Sequence, residues 1–208
     1  MAIACTEDSQ VARVDSRFKT AAFMSFIYSI LTIIGIPIRI IVASQQSATL
    51  NFIIDTPITI VSFVVYIYIF LQLKRLLVER HHLDNMSNLI NYILILYICT
   101  NIVFFFISIF QMIVQDPNAG GLFILLFLIP ALLLGGILSF IFGIRLLDVK
   151  GLKSSLYRTY AILCIIVGAC YFTIILFPIG ILAALVSFVV LGMIFLEESE
   201  TELEVEYV

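Results

Sequence analysis

Long stretches without a charged residue alternate with short charged segments along this chain. Four such stretches, rich in Ile, Phe and Leu, lie between the following charged pairs: Lys19 and Arg39, Asp55 and Lys74, Asp84 and Asp116, and Asp116 and Arg145. A helix crosses the ~30 Å hydrocarbon core of a bilayer with about 20 apolar residues. Each stretch therefore predicts one membrane-spanning helix.

A fifth charge-free stretch, from Thr159 to Leu196, is twice as long as a bilayer requires. Its 38 residues would extend ~57 Å as one helix. Pro178 lies at its midpoint, and a proline inside a helix removes a hydrogen bond and clashes with the preceding turn. This stretch therefore predicts two helices, for a total of six at 20–42, 57–77, 89–114, 120–146, 158–177 and 179–196.

Proline residues mark the predicted starts of every second helix. Pro57, Pro117 and Pro178 follow the three outer turns, and Asp55 and Asp116 precede two of these prolines. Proline suits the first helical turn, and aspartate is a good N-cap. We therefore expect the second, fourth and sixth helices to begin at these residues.

Basic residues indicate the orientation of the helices. The chain has eleven Lys and Arg, and with six helices and a cytoplasmic N-terminus only Arg39 falls outside. Cytoplasmic loops of membrane proteins carry an excess of Lys and Arg. The predicted fold is thus an all-α polytopic bundle of six transmembrane helices, arranged as three hairpins with both termini cytoplasmic. Its parts are a cytoplasmic segment 1–19, the membrane domain 20–196 and an acidic tail 197–208, which we expect to be solvated.

Composition supports this class of protein and excludes others. Hydrophobic residues make up 62% of the chain and charged residues 12%, and the mean hydropathy is +1.18. Soluble domains are about 45–50% apolar and about 25% charged. The net charge of −3 leaves no basic surface for nucleic acid. The abundance of Ile and Phe without Trp is compatible with an AT-rich genome, and we expect a prokaryotic inner (plasma) membrane.

Catalytic chemistry is sparse in the predicted spans. No predicted helix interior holds His, Lys, Asp or Glu, which haem ligation, a retinal Schiff base or proton-coupled transport would use. His81 and His82 lie in the inner loop 74–84, which offers the one titratable cluster, but without the spacing of a metal site. We therefore expect no catalytic residue, cofactor or metal, and a protein that is not an enzyme.

Two polar stripes and one face of small residues distinguish the predicted helices. The polar stripes comprise Ser25 and Thr32 in the first helix and Tyr97, Asn101, Ser108 and Gln111 in the third. Small residues recur at every fourth position of the fourth helix: Ala131, Gly135, Ser139 and Gly143. Such faces allow close helix packing in lipid. The polar stripes either bond across helices inside the bundle or line a wetted path or small-molecule cleft.

Arg39 is the one basic residue off the cytoplasmic side. It lies about 29 Å along a helix that starts near residue 20, at the far edge of the hydrocarbon core. A charge at this depth favours a partner, and Asp55 is the nearest outer acid along the chain. We expect either an Arg39–Asp55 ion pair at the outer interface or a side chain that extends to the headgroups alone.

Two functional hypotheses follow from these patterns. The first is a non-enzymatic accessory or scaffold subunit that lies in the bilayer and binds other membrane subunits or its own copies. The short loops and the small-residue face favour it. The alternative is an oligomeric channel or facilitator for a neutral or anionic small solute, with Arg39 near the outer mouth.

Overall fold

The computed structural model describes residues 4–44, 48–114, 121–149, 154–173 and 176–205. These residues form six α-helices and contain no strand: α1 (Ala4–Ser44), α2 (Ala48–Arg75), α3 (Asp84–Val114), α4 (Gly121–Leu147), α5 (Ser155–Phe172) and α6 (Phe177–Val205). A π-helical segment, Leu76–Arg80, continues α2. The all-helical class is confirmed.

Each of the six helices contains a stretch long and apolar enough to cross a membrane. The stretches are Arg17–Ile41, Phe52–Arg80, Asp84–Val114, Leu125–Leu147, Ser155–Phe172 and Phe177–Ser199. This confirms the predicted number of spans. The charge-free stretch 159–196 makes up most of the last two spans, and within it α5 ends at Phe172 and α6 begins at Phe177.

The start of one helix differs from the sequence prediction. We expected Asp55 and Pro57 to open the second helix, but α2 begins at Ala48 and contains Pro57 in its interior. The apolar residues that precede Asp55 continue the helix outward, and spanning helices tolerate an internal proline. Pro178 does lie in the first turn of α6. The predicted start at Asp116 and Pro117 lies outside the described residues.

The termini of the chain are also more helical than the predicted division into segments suggested. Helix α1 begins at Ala4, ahead of the predicted span, and α6 runs through the acidic segment to Val205. The first acidic side chains of that segment are held by neighbours: Ser154 Oγ donates to Glu197 Oε2 at 2.6 Å, and the Tyr157 hydroxyl donates to Glu198 Oε1 at 2.8 Å. These bonds attach the end of α6 to the start of α5.

The helices form a closed ring in chain order. Each helix packs against its neighbours along the chain, and α6 returns to pack against α1. Lys74 Nζ near the end of α2 donates to Asn91 Oδ1 near the start of α3 at 2.9 Å, so these two helices run in opposite directions. The ring closes where Phe18 of α1 stacks on Phe195 of α6, with ring centroids 6.2 Å apart.

The packed core fills one end of this ring. Helix α1 contributes Phe18 and Ala21 to it, and α5 contributes Tyr157. The fully buried large side chains come from α2 and its π-helical continuation, α3, α4 and α6: Ile69, Leu73, Leu76, Leu77, Ile90, Phe142, Leu191, Ile194 and Phe195. These residues lie near the ends of α2, α4 and α6 and near the start of α3. The ring is therefore solid at the end where α1 begins and α6 ends, and we call this end the closed end.

Helices α4 and α5 approach each other through glycines seven residues apart. A Cβ atom on Gly143 would lie 2.6 Å from the Ala161 carbonyl oxygen, and one on Gly136 would lie 2.9 Å from the Gly168 carbonyl oxygen. Small residues let two helices of a membrane bundle come this close. Only backbone without a side chain fits at these contacts.

Candidate small-molecule cavity

An internal cavity of about 450 Å³ occupies the part of the ring beyond the packed core. All six helices contribute to its wall. Its lining extends from Phe142 and Tyr160, which also belong to the packed core, to Arg39, Leu128 and Ile181, near the opposite end of the helices. This volume lies within the range of about 300–1,000 Å³ that is typical of small-molecule sites.

Aromatic rings form much of the cavity wall. Eight of them line it: Tyr28, Tyr66, Phe70, Tyr97, Phe142, Tyr160, Tyr171 and Phe188. Several of these rings contact one another, which fixes their orientation. Tyr66 stacks on Tyr97 with centroids 3.8 Å apart, and Tyr28 lies 4.4 Å from Phe188. The wall is thus mainly apolar, with tyrosine hydroxyl groups distributed over it.

Four residues of the lining carry an aliphatic hydroxyl group, and each of these groups donates its hydrogen to a backbone carbonyl. Thr32 donates to Tyr28 at 2.8 Å and Thr100 donates to Leu96 at 2.8 Å. Ser139 donates to Cys164 of α5 at 3.0 Å, and Ser187 donates to Ala184 at 2.7 Å. A hydroxyl oxygen keeps lone pairs after donating its hydrogen. These four groups therefore present hydrogen-bond acceptors.

Arg39 lines the cavity near the end of α1, and its charge is balanced by Asp55. Its Nε donates to Asp55 Oδ1 at 2.6 Å, and its Nη2 donates to Thr59 Oγ1 at 2.9 Å. The Arg39 and Asp55 side chains are 49% and 44% exposed, so the pair sits at the surface. It joins α1 to α2. Its contribution to stability stays a prediction.

A second set of charged side chains joins the π-helical segment, α5 and α6 at the closed end. Arg80 of the π-helical segment contacts Glu198 of α6 twice, with Nη1 2.6 Å from the backbone oxygen and 3.0 Å from Oε2. The Glu198 Oε1 atom accepts from the Tyr157 hydroxyl of α5 at 2.8 Å and lies 3.3 Å from His81 Nε2. We call Arg80, His81, Tyr157 and Glu198 the closed-end cluster. It holds the chain across the end of the ring that the core fills.

The residues of the two predicted polar stripes separate in the structure. Thr32 and Tyr97 line the cavity. Ser25 is fully buried, and its hydroxyl oxygen has no hydrogen-bond partner among the described residues. In α3, Asn101 and Ser108 bond to backbone oxygens one turn back, those of Tyr97 and Phe104. Gln111 lies in the last turn of α3, away from the cavity lining.

The predicted small-residue face of α4 is also divided. Ala131 and Gly135 line the cavity, and Ser139 lines it while it bonds to α5. Gly143 packs directly on α5. The face is thus used within the chain, and the tight contact with α5 involves Gly136, which the four-residue spacing leaves out.

Sequence reasoning missed most of the cavity wall. Five of the nine tyrosines of the chain line it, and Tyr66, Tyr160 and Tyr171 lie in spans where they resembled ordinary packing residues. A usable signal was present, because tyrosine in membrane helices concentrates at the two interfaces, and several of these tyrosines lie well inside their spans. The closed-end cluster was missed because Glu198 is 118 residues from Arg80 in the chain.

Known proteins offer no further guide to this cavity. No protein-family model, curated protein or solved structure matches the chain.

Proposed function

We propose that this chain is a non-enzymatic small-molecule carrier of a prokaryotic plasma membrane, and that it binds its solute in the internal cavity. The observation that carries the proposal is the cavity of about 450 Å³ that residues of all six helices line. Carriers commonly bind their substrates near the middle of the bilayer, between helices. The proposal develops the facilitator expected from the sequence, with the site in one chain instead of between copies.

The closed end favours a carrier over an open channel. A channel needs a continuous path, whereas the cavity ends at Phe142 and Tyr160, beside buried core residues such as Leu146 and Ile194. A carrier exposes its site to one side at a time. The arrangement therefore fits one state of a carrier, in which the side of the closed-end cluster is shut.

Basic residues support a cytoplasmic position for the closed end. Arg17, Lys74, Arg80, Arg145 and Arg158 all lie near this end of the ring. Under the positive-inside rule, this end faces the cytoplasm. The proposed topology is then three hairpins with both termini cytoplasmic and a cavity that opens outward beside Arg39.

An accessory or scaffold role is the weaker candidate. The strongest sequence argument for it was the small-residue face of α4. In the structure, Ser139 and Gly143 contact α5, while Ala131 and Gly135 line the cavity. These residues support the internal architecture of one chain, so this face is not free to hold a partner subunit.

A cavity-filling variant tests the proposed function. Ala131 lines the cavity, so Ala131→Phe places a ring inside it. Ala169 of α5 is exposed on the outside of the bundle, so Ala169→Phe adds the same ring to the lipid-facing surface. All three proteins are purified from native membranes, and the small molecules released on denaturation are identified by mass spectrometry.

The proposal predicts a molecule that co-purifies with the native chain and with Ala169→Phe and is depleted at least about tenfold in Ala131→Phe. Folding of the variants is checked by their melting temperatures in detergent. The same molecules in equal amounts from all three folded proteins would overturn the proposed function. Loss from both variants would also overturn it, because the molecule would then not depend on the cavity.

A further inference from the structure

The acceptor groups of the cavity select the polar part of a ligand. The hydroxyl hydrogens of Thr32, Thr100, Ser139 and Ser187 already bond to backbone carbonyls. Each of these four oxygens can then only accept a further hydrogen bond, through a lone pair. A ligand must supply an O–H or N–H donor to bond to them. Tyrosine hydroxyls can donate or accept, so they accommodate such a ligand without selecting it.

The charges of the cavity argue against an ionic ligand. Among the described residues, Arg39 is the one charged side chain in the lining, and its Nε and Nη2 atoms are held by Asp55 and Thr59. An anion would therefore meet a guanidinium whose charge Asp55 already balances. A cation finds no carboxylate in the part of the lining that the structure describes, and burying an unmatched charge is costly.

The aromatic wall selects the apolar part of a ligand. The rings of Tyr28, Tyr66, Tyr97 and Phe188 contact one another and present further edges and faces to the cavity. Aromatic groups favour offset-stacked or edge-to-face contacts with a further ring. A rigid ring also loses little conformational freedom on binding, whereas a flexible acyl chain loses more.

From these three observations we infer that the cavity takes a neutral, ring-bearing molecule with at least one hydroxyl or N–H donor, of the chemical class of phenols and ring alcohols. The inference rests on the proposed function, since it names the solute class of the same cavity. The sequence suggested a neutral or anionic small solute, and the inference restricts this to a neutral molecule that donates a hydrogen bond.

A matched set of four naphthalene probes tests this class. The probes are 2-naphthylmethanol, its methyl ether, 2-naphthoate and 2-naphthylmethylammonium, which differ in donor and charge but share one ring system. Binding is followed by naphthalene fluorescence with the protein in lipid nanodiscs. The chain contains no tryptophan, so it adds no indole emission of its own to the probe signal. The saturable component is the signal of the native protein minus that of Ala131→Phe, which removes partition into lipid.

The alcohol should bind about 3- to 10-fold more tightly than its methyl ether, because the ether lacks the donor for one hydrogen bond. The carboxylate and the ammonium should bind at least about 10-fold more weakly than the alcohol. Thr32→Val keeps the shape of the side chain and removes the acceptor, so it should reduce the preference for the alcohol over the ether. Ser108→Ala, away from the cavity, should leave that preference unchanged.

Binding of the carboxylate or the ammonium as tight as that of the alcohol would overturn the inferred class, and so would an ether that binds as tightly as the alcohol. Absence of saturable binding for all four probes would overturn it as well. The proposed function is tested by a different result. It is wrong if the native chain and Ala131→Phe release the same co-purified molecules in equal amounts. If the native molecule depends on the cavity but is ionic, the inferred ligand class is wrong and the proposed carrier function stands.

Discussion

Replacement of Gly143 by alanine should separate α4 from α5. A Cβ atom at this position would lie 2.6 Å from the Ala161 carbonyl oxygen and 3.0 Å from the Ile165 backbone nitrogen. Ordinary contact begins at 3.4 Å, so the two helices would have to move apart by roughly 0.8 Å. Ile165 Cγ1 would also lie 2.7 Å away, but the other two atoms belong to the backbone, and no side-chain rotation can remove them.

The expected cost follows from two opposing effects. Overpacking a close contact costs about 1–3 kcal/mol, and a clash against backbone belongs at the upper end of that range. Alanine in place of glycine favours a helix by about 0.8–1.0 kcal/mol. We therefore expect Gly143→Ala to lower the free energy of unfolding by about 2 kcal/mol.

Gly135 provides a control on the same helix. Its added Cβ would lie 3.8 Å from Leu96 Cδ2, an ordinary contact with a flexible side chain. Gly135→Ala should therefore be neutral or stabilise the protein by up to about 1 kcal/mol. Both variants are compared by reversible unfolding in mixed detergent micelles. Equal unfolding free energies for the two variants would refute the close approach of α4 and α5 at Gly143.

Two further predictions concern the charged groups at the ends of the ring. Glu198→Gln should lower the free energy of unfolding by about 1–3 kcal/mol, because the Glu198 side chain is only 13% exposed and accepts charge-assisted hydrogen bonds. If the losses from Glu198→Gln and Arg80→Gln simply add in the double variant, the two side chains do not interact as the closed-end cluster requires. Arg39→Ala and Asp55→Ala should be non-additive by only about 0.5–1 kcal/mol in the same measurement, because the pair is half exposed; a coupling of zero would reduce the pair to a geometric contact.

The number of spans could be predicted from the sequence because lipid imposes a simple rule. A charged residue inside the hydrocarbon core is costly, so the charge-free stretches mark the helices, and Pro178 divides the longest one. The rule places boundaries less well. Pro57 suggested a helix start, yet α2 begins at Ala48, because a proline within a span is tolerated where a soluble helix would end.

Contacts between helices were harder to predict, since they depend on rotations that spacing alone does not fix. The four-residue pattern in α4 suggested one packing face, whereas the contact with α5 uses Gly136 and Gly143, seven residues apart. The cavity was predictable only in part. Thr32 and Tyr97 belong to the predicted polar stripes. Tyr66 and Tyr160 line the same cavity because the helices form a ring, which the packing of α6 against α1 closes. The sequence does not reveal this contact between the first and last helices.

Cysteine labelling shows from which side of the membrane the cavity can be reached, and this tests the proposed carrier most directly. Thr100 lines the cavity, and Thr100→Cys is introduced in a chain whose four native cysteines are replaced by alanine. Thr49→Cys and Ser155→Cys, both at exposed positions at opposite ends of the ring, mark the two sides in vesicles treated with a membrane-impermeant thiol reagent.

Thr100→Cys should react from the side on which Thr49→Cys reacts and should be protected from the side of Ser155→Cys. Reaction from both sides would indicate an open pore, and protection from both sides while the two control cysteines react would indicate a sealed bundle. Either result would contradict a cavity that opens at Arg39 and is shut at the closed end.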